Sequence, residues 1–191
     1  MTIPGNSALL LIDVQKGMDA PRWGARNNPE AERNIAALLA AWRESGRPVI
    51  HVQHMSVEPD SPLRPELPGN AFKPEAIPKA GEPIFQKTVN SAFIGTALES
   101  HLKDRGIDAV VLVGITTDHC VSTSARMAAN LGFATTVVSD GTATFERTGP
   151  DGAHHSAEEM HRFALASLHR EFATVVRTEE ILKQLEGMGE R

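Results

Sequence analysis

Asp108-Ala-Val-Val-Leu-Val-Gly-Ile-Thr-Thr-Asp-His-Cys120-Val-Ser-Thr-Ser-Ala-Arg-Met-Ala-Ala129 is the stretch whose reading decides the fold. Val110 to Val113 is short, apolar and β-branched, and Gly114 bounds it, which predicts a fully buried strand. From Asp118 the spacing turns helical, with Val121, Ala125, Ala128, Ala129 and Leu131 compatible with one face. Cys120, the only cysteine of the chain, falls in the first turn of that helix. Unpaired N–H groups and the helix dipole favour a thiolate there, so the position suits a nucleophile. A small buried hydrophobe is the alternative role for a lone cysteine.

The same alternation recurs on both sides of this segment. Ala8 to Asp13 reads as a first strand, Pro29 to Ser45 as a helix ended by Gly46, and Pro48 to His54 as a second strand. Pro83 to Lys87 is a weaker third strand, and Ile94 to Arg105 is helical. Beyond Cys120, Ala134 to Ser139 and Phe172 to Val176 read as strands five and six. Ser156 to His169 and Glu179 to Leu185 read as helices. Strands alternating with helices predict a three-layer α/β/α fold around a mostly parallel six-stranded sheet, with residues 1–191 forming one domain. The exception is Ser56 to Pro83, which holds seven of the 12 prolines and shows no periodicity. Such a loop is a lid, a binding loop or a subunit contact, or else a passive surface excursion.

Composition excludes several classes of function. A net charge of −5 and the lack of a basic run argue against a nucleic-acid partner. No window approaches a membrane span, and Met1-Thr-Ile-Pro-Gly-Asn6 does not resemble a signal peptide. A single cysteine forms no internal disulfide, which makes a reducing cytoplasm the expected compartment. Gly24, Gly69 and Gly81 are isolated, so no phosphate-binding loop is indicated and no cofactor is expected.

In open parallel sheets, ligands bind beyond the carboxyl ends of the strands. Asp13 ends strand one, Lys87 ends strand three and Cys120 follows strand four, so a parallel sheet projects all three at one edge. Singly, each has an ordinary structural role open to it; together they make a coherent set. A carboxylate can take the thiol proton and later return it to a leaving amine. A lysine between them holds the carboxylate ionised and favours the thiolate. The N–H of Cys120 is free to donate to an oxyanion. The implied reaction is acyl transfer to sulfur, followed by hydrolysis.

Three segments, in this order, resemble the isochorismatase-like cysteine hydrolases, which include nicotinamidases, N-carbamoylsarcosine amidase and ureidoacrylate amidohydrolase. They are Leu9-Leu-Leu-Ile-Asp-Val-Gln15, Lys87-Thr-Val-Asn-Ser-Ala-Phe-Ile-Gly-Thr96 and Gly114-Ile-Thr-Thr-Asp-His-Cys-Val121. The resemblance implies a triad of Asp13, Lys87 and Cys120. It also implies a cis peptide between Ile115 and Thr116, with the N–H groups of Thr116 and Cys120 forming an oxyanion hole. By resemblance the protein acts on a small-molecule substrate and assembles as a homo-dimer or tetramer. Nicotinamidases carry a metal-binding Asp-x-His after the second strand; here the stretch is Val52-Gln53-His54, which lacks the aspartate, so no metal is expected. The vinyl-ether-cleaving isochorismatases generally lack the cysteine, so its presence favours C–N hydrolysis. An ether hydrolase, or a non-enzymatic subunit of the same fold, is the alternative.

Gln15, Trp23, His54, Phe93 and His119 are the candidate pocket residues, with Phe72 beside them. Gln15 would lie on the same strand face as Asp13 and orient it, if the strand continued. His154, Glu158 and His161 could share a helical face as metal ligands or line a subunit contact. Against that, Ser156 with Glu159 three residues on is the pattern of a capping box at a helix start.

Overall fold

The computed structural model describes residues 3–189. Strand β1 (Ala8–Ile12) leads to α1 (Ala31–Glu44), β2 (Val49–His54) and, after the proline-rich segment, β3 (Ile84–Lys87). Then come α2 (Leu98–Asp104), β4 (Ala109–Ile115), a π-helical turn (Thr117–Val121) and α3 (Ser122–Asn130). The chain continues with β5 (Ala134–Ala143), a short ribbon of β6 (Arg147–Thr148) and β7 (His154–His155), α4 (Ala157–Leu168), β8 (Thr174–Val176) and α5 (Thr178–Gly189). No described helix is long and apolar enough to cross a membrane.

Six strands form one sheet in the order β3-β2-β1-β4-β5-β8, and every pair in it is parallel. The chain winds outward from β1 in one direction and from β4 in the other. Their C-terminal ends therefore flank a switch point, where open α/β sheets hold ligands.

Alternation along the strands builds the two cores. Ala8, Leu10 and Ile12 of β1 face Leu98 and Leu102 of α2, Val121, Ala125 and Ala128 around α3, and Leu168 of α4. Leu9 and Leu11 face the other way, onto Ile35, Leu38, Leu39 and Trp42 of α1 and Ile181 of α5. Both faces of the sheet are thus covered, which is why the central strands β1 and β4 are apolar throughout rather than alternating.

The departures from expectation are local. The helix expected from Ile94 begins only at Leu98, and Ile94 is exposed. Strand five runs on to Ala143 through a bulge: Val137 pairs with Leu112, and the next pair is Thr142 with Gly114. The β6–β7 ribbon has two residues per strand, too few to show a pattern. At the start of α4 the capping box is present, with Ser156 Oγ accepting from Glu159 N and the Glu159 carboxylate from Ser156 N.

The proline-rich segment is pinned down rather than loose. Asn70 gives its amide to the carbonyls of His54 (2.9 Å) and Leu63 (2.6 Å), and Gln53 donates to its Oδ1 (2.9 Å). Lys73 reaches Glu32 at 2.7 Å, and Arg26 binds the same carboxylate. Burial opposes the charge on Glu32. The hydrogen bonds from Arg26 and Lys73 outweigh burial and draw its carboxyl down to about 2.

Candidate active site

The sheet edge brings Asp13, Lys87 and Cys120 together. Asp13 follows β1 with φ +52°, a left-handed conformation that ends the pleat. Its N–H is held by Val52 O, and its own carbonyl accepts from Gln15 N. Gly114, beside it on β4, has φ +129°, and a Cβ there would lie 2.0 Å from Ile12 O. Only glycine lets β1 and β4 approach this closely just before the site.

Lys87, the last residue of β3, is 1% exposed and lies at the centre. Its Nζ is 2.6 Å from Asp13 Oδ2, 3.0 Å from His54 Nδ1, 3.1 Å from Val89 O and 3.4 Å from Cys120 Sγ. An ammonium has three hydrogens, and the first three neighbours take them. The sulfur, being fourth, lies beside the charge without needing a hydrogen bond from it. Asp13 Oδ1 is buried and has no hydrogen-bond partner.

Burial raises the Cys120 thiol well above its ordinary range, and the Asp13 carboxylate adds to this; the Lys87 charge opposes both and loses. Cys120 lies within the π-helical turn, at its fourth residue, rather than in the first turn of a regular α-helix. The thiol is 3.8 Å from Asn90 Oδ1, to which it donates. His54 is held neutral, by burial first and then by the Lys87 charge, with Asp13 pulling the other way. A neutral Nδ1 accepts the lysine hydrogen.

The peptide between Ile115 and Thr116 is cis. Thr116 O accepts from His119 N (3.3 Å) and Val121 N (3.1 Å), passing over the N–H of Cys120. Thr116 Oγ1 is buried without a partner.

A cavity of about 350 Å³ opens onto these groups, and Asp13, Thr116 and Cys120 are in its wall. Of the expected pocket residues, Trp23, His54 and His119 line it. Gln15 and Phe93 do not, and both readings are corrected. Gln15 ties the backbone together, donating to His54 O and Asn70 O and accepting from His54 N at 2.8 Å. Phe93 packs in the core, its ring 6.0 Å from that of Phe133. Phe72 stacks edge-on against His51 instead of lining the cavity.

The sequence reading missed most of the opposite wall. Ser56, Glu58, Pro59, Asp60 and Ser61 supply it, so part of the proline-rich segment lines the cavity. Arg22 and Arg147 add charge at the rim. Arg22 stacks on Trp23 and donates to Asp60 O, and Arg147 leans on half-buried Asp118 (3.4 Å). Arg22 adjoins the predicted Trp23, the one signal that could have found it.

The His154, Glu158 and His161 grouping does not form. His154 is exposed and pairs with Glu146 at 3.2 Å, whereas His161 points inward. Nor do the residues fit a nicotinamidase-type metal set, because Val52 is a buried apolar side chain with no donor. Among the described residues, the ligand atoms of Asp13, His54 and Cys120 lie within 4.8 Å of one another, but the Lys87 ammonium already occupies their centre.

Comparison with known proteins agrees with this fold. The Isochorismatase domain model matches residues 7–180. The isochorismatase family protein YrdC of Bacillus subtilis, itself uncharacterized, is 47% identical over 92% of this chain and 94% of its own. Maleamate amidohydrolase of Pseudomonas putida is 30% identical over 93% of this chain and 86% of its own. A crystal structure of an isochorismatase-family protein from Chromobacterium violaceum superposes with a TM-score of 0.94. It is 45% identical, covering 98% of this chain and 97% of that one.

Proposed function

The chain belongs to the isochorismatase family of hydrolases, and we propose that it cleaves the C–N bond of a small amide or ureido substrate through a thioester on Cys120. One observation carries this reading: Lys87 Nζ bridges the Asp13 carboxylate (2.6 Å) and the Cys120 sulfur (3.4 Å) in the wall of a cavity. The similarity to maleamate amidohydrolase, whose name states an amide substrate, supports C–N chemistry.

Asp13 Oδ2 is committed to Lys87, which leaves Oδ1 to act as the base. As Sγ attacks the substrate carbonyl, its proton passes to Oδ1, and the carbonyl π electrons move to oxygen. The N–H groups of Thr116 and Cys120 receive that oxyanion. The intermediate collapses with loss of the amine, which leaves with the proton returned by Asp13. Water then attacks the thioester, Asp13 takes its proton, and the acid departs as sulfur recovers a hydrogen. Because burial and the Asp13 carboxylate raise the thiol, proton transfer and attack proceed together. Lys87 offsets the negative charge that moves between carboxylate and sulfur.

The test is ammonia release over a panel of small primary amides and ureido acids, with Cys120→Ala beside the wild type. Turnover that vanishes with the sulfur supports the reading. Turnover that survives Cys120→Ala overturns it in favour of sulfur-independent hydrolysis such as ether cleavage. No turnover on any member, together with an inert Cys120, favours a non-enzymatic subunit.

A further inference from the structure

One buried histidine has no part in this mechanism, yet it touches the turn that carries the nucleophile. His161 lies on α4, and its Nδ1 is 2.9 Å from Thr117 Oγ1. Thr117 is fully buried and opens the π-helical turn, between Thr116 on one side and Cys120 three residues on.

The ring's tautomer follows from its other neighbour. Nε2 is 3.4 Å from Asn28 Nδ2, but that amide already gives its two hydrogens to Ser139 O (2.9 Å) and Thr142 O (2.7 Å). With none left for the ring, Nε2 carries the hydrogen, and Nδ1 offers the lone pair that accepts the Thr117 hydroxyl. A threonine hydroxyl in a helical turn can otherwise fold back onto a carbonyl of the preceding turn and bend it. The histidine fixes one direction for it. The anchor is itself rigid, since Asn28 bridges the carbonyls of Ser139 and Thr142 across the β5 bulge.

We propose that His161 is a positioning residue: by accepting the Thr117 hydroxyl it fixes the turn and so aims the N–H groups of Thr116 and Cys120 at the acyl oxygen. This rests on the reading of Cys120 as nucleophile. The contact turns the ring to Thr117 rather than into the metal-ligand set that the sequence pattern suggested for this histidine.

The probe is p-nitrophenyl acetate. Sulfur attacks its carbonyl, p-nitrophenolate leaves, and the thiol proton passes to Asp13, so the first turnover reads acylation directly by stopped-flow. His161→Leu is expected to slow acylation on the order of tenfold, with the half-saturating ester concentration unchanged. Thr117→Val should do the same, and the double variant should be no slower than either alone. His161→Asn, whose side chain sets an acceptor near the place of Nδ1, should recover most of the rate. A purely structural role would lower the melting temperature without this rescue or this non-additivity.

Acylation at the wild-type rate in folded His161→Leu overturns the proposal. So do additive losses, or failure of the asparagine to rescue. If His161→Leu does not fold, Thr117→Val, a hydroxyl-to-methyl exchange, decides alone. A wild-type chain with no burst removes the nucleophile reading itself, whereas a burst unaltered in the variants removes only this inference.

Discussion

Asp13→Asn is expected to raise the reactivity of Cys120 as a thiol while abolishing hydrolysis. In the wild type the sulfur faces two opposite charges and a dry environment, and the carboxylate with burial prevails over the ammonium. A carboxylate oxygen of Asp13 lies within 4.8 Å of the sulfur. At that distance and an effective dielectric of about 20, one charge contributes about 3.5 kcal/mol, or about 2.5 pH units. Removing it leaves Lys87 without its counterion at 2.6 Å, and the sulfur at 3.4 Å is the nearest group able to become one. The thiol's titration midpoint should therefore fall by about 2.5 pH units. Ultraviolet thiolate absorbance against pH measures this, and iodoacetamide alkylation at a fixed, mildly alkaline pH should accelerate accordingly. Amide hydrolysis should drop by at least about 100-fold, because the base is gone. Lys87→Met should move the midpoint the opposite way. A midpoint that stays or rises in Asp13→Asn, or hydrolysis that persists, refutes the charge balance described for the triad.

Gly114→Ala should destabilise the fold by about 3 kcal/mol or more, since overpacking and a positive φ act together; its Cβ would meet Ile12 O at 2.0 Å in a central strand. A wild-type urea midpoint would contradict that. Glu32, drawn from 4.5 to about 2, contributes stability that is present above its unfolded value and lost as pH falls from about 4.5 toward 2. Glu32→Gln should thus cost about 2 kcal/mol at neutral pH, and the gap should close near pH 2 in paired urea titrations. His51, His54 and His161 are each held below 6.5, in every case chiefly by burial. The unfolded chain takes up protons there that the folded one refuses, so stability should decline as pH falls below about 6.5, by up to about 1.4 kcal/mol per pH unit for each ring. His54→Asn should shallow that slope, and an unchanged slope would show that His54 titrates alike folded and unfolded.

The sheet was legible because strands buried on both faces are uniformly apolar, and short runs such as Ala8–Ile12 and Val110–Val113 have no other use. The triad was legible for a related reason. Parallel strands end at one edge, so polar residues directly after apolar runs must converge. Side-chain direction beyond those ends was not legible. A continued β1 would put Gln15 on the Asp13 face, but the left-handed backbone at Asp13 ends the strand. Phe93 looked like a loop aromatic because nothing in its neighbourhood announces Phe133. The wall made by residues 56–61 is fixed by the bond from Ser56 N to Leu63 O and by Asn70 bonding the flanking carbonyls of His54 and Leu63, which leave no periodic trace. The resting state of the thiol depends on desolvation and on two charges from distant strands, and only their distances decide which one prevails.

Asp13 and Lys87 stand at the ends of sheet strands and Cys120 on the turn after β4, whereas Glu58 through Ser61, in the wall of the same cavity, belong to an excursion outside the layered scaffold. Selection can therefore rewrite Glu58 through Ser61 to welcome a different guest and leave the reactive machinery untouched. A library randomised only there is the economical route to altered preference in this architecture.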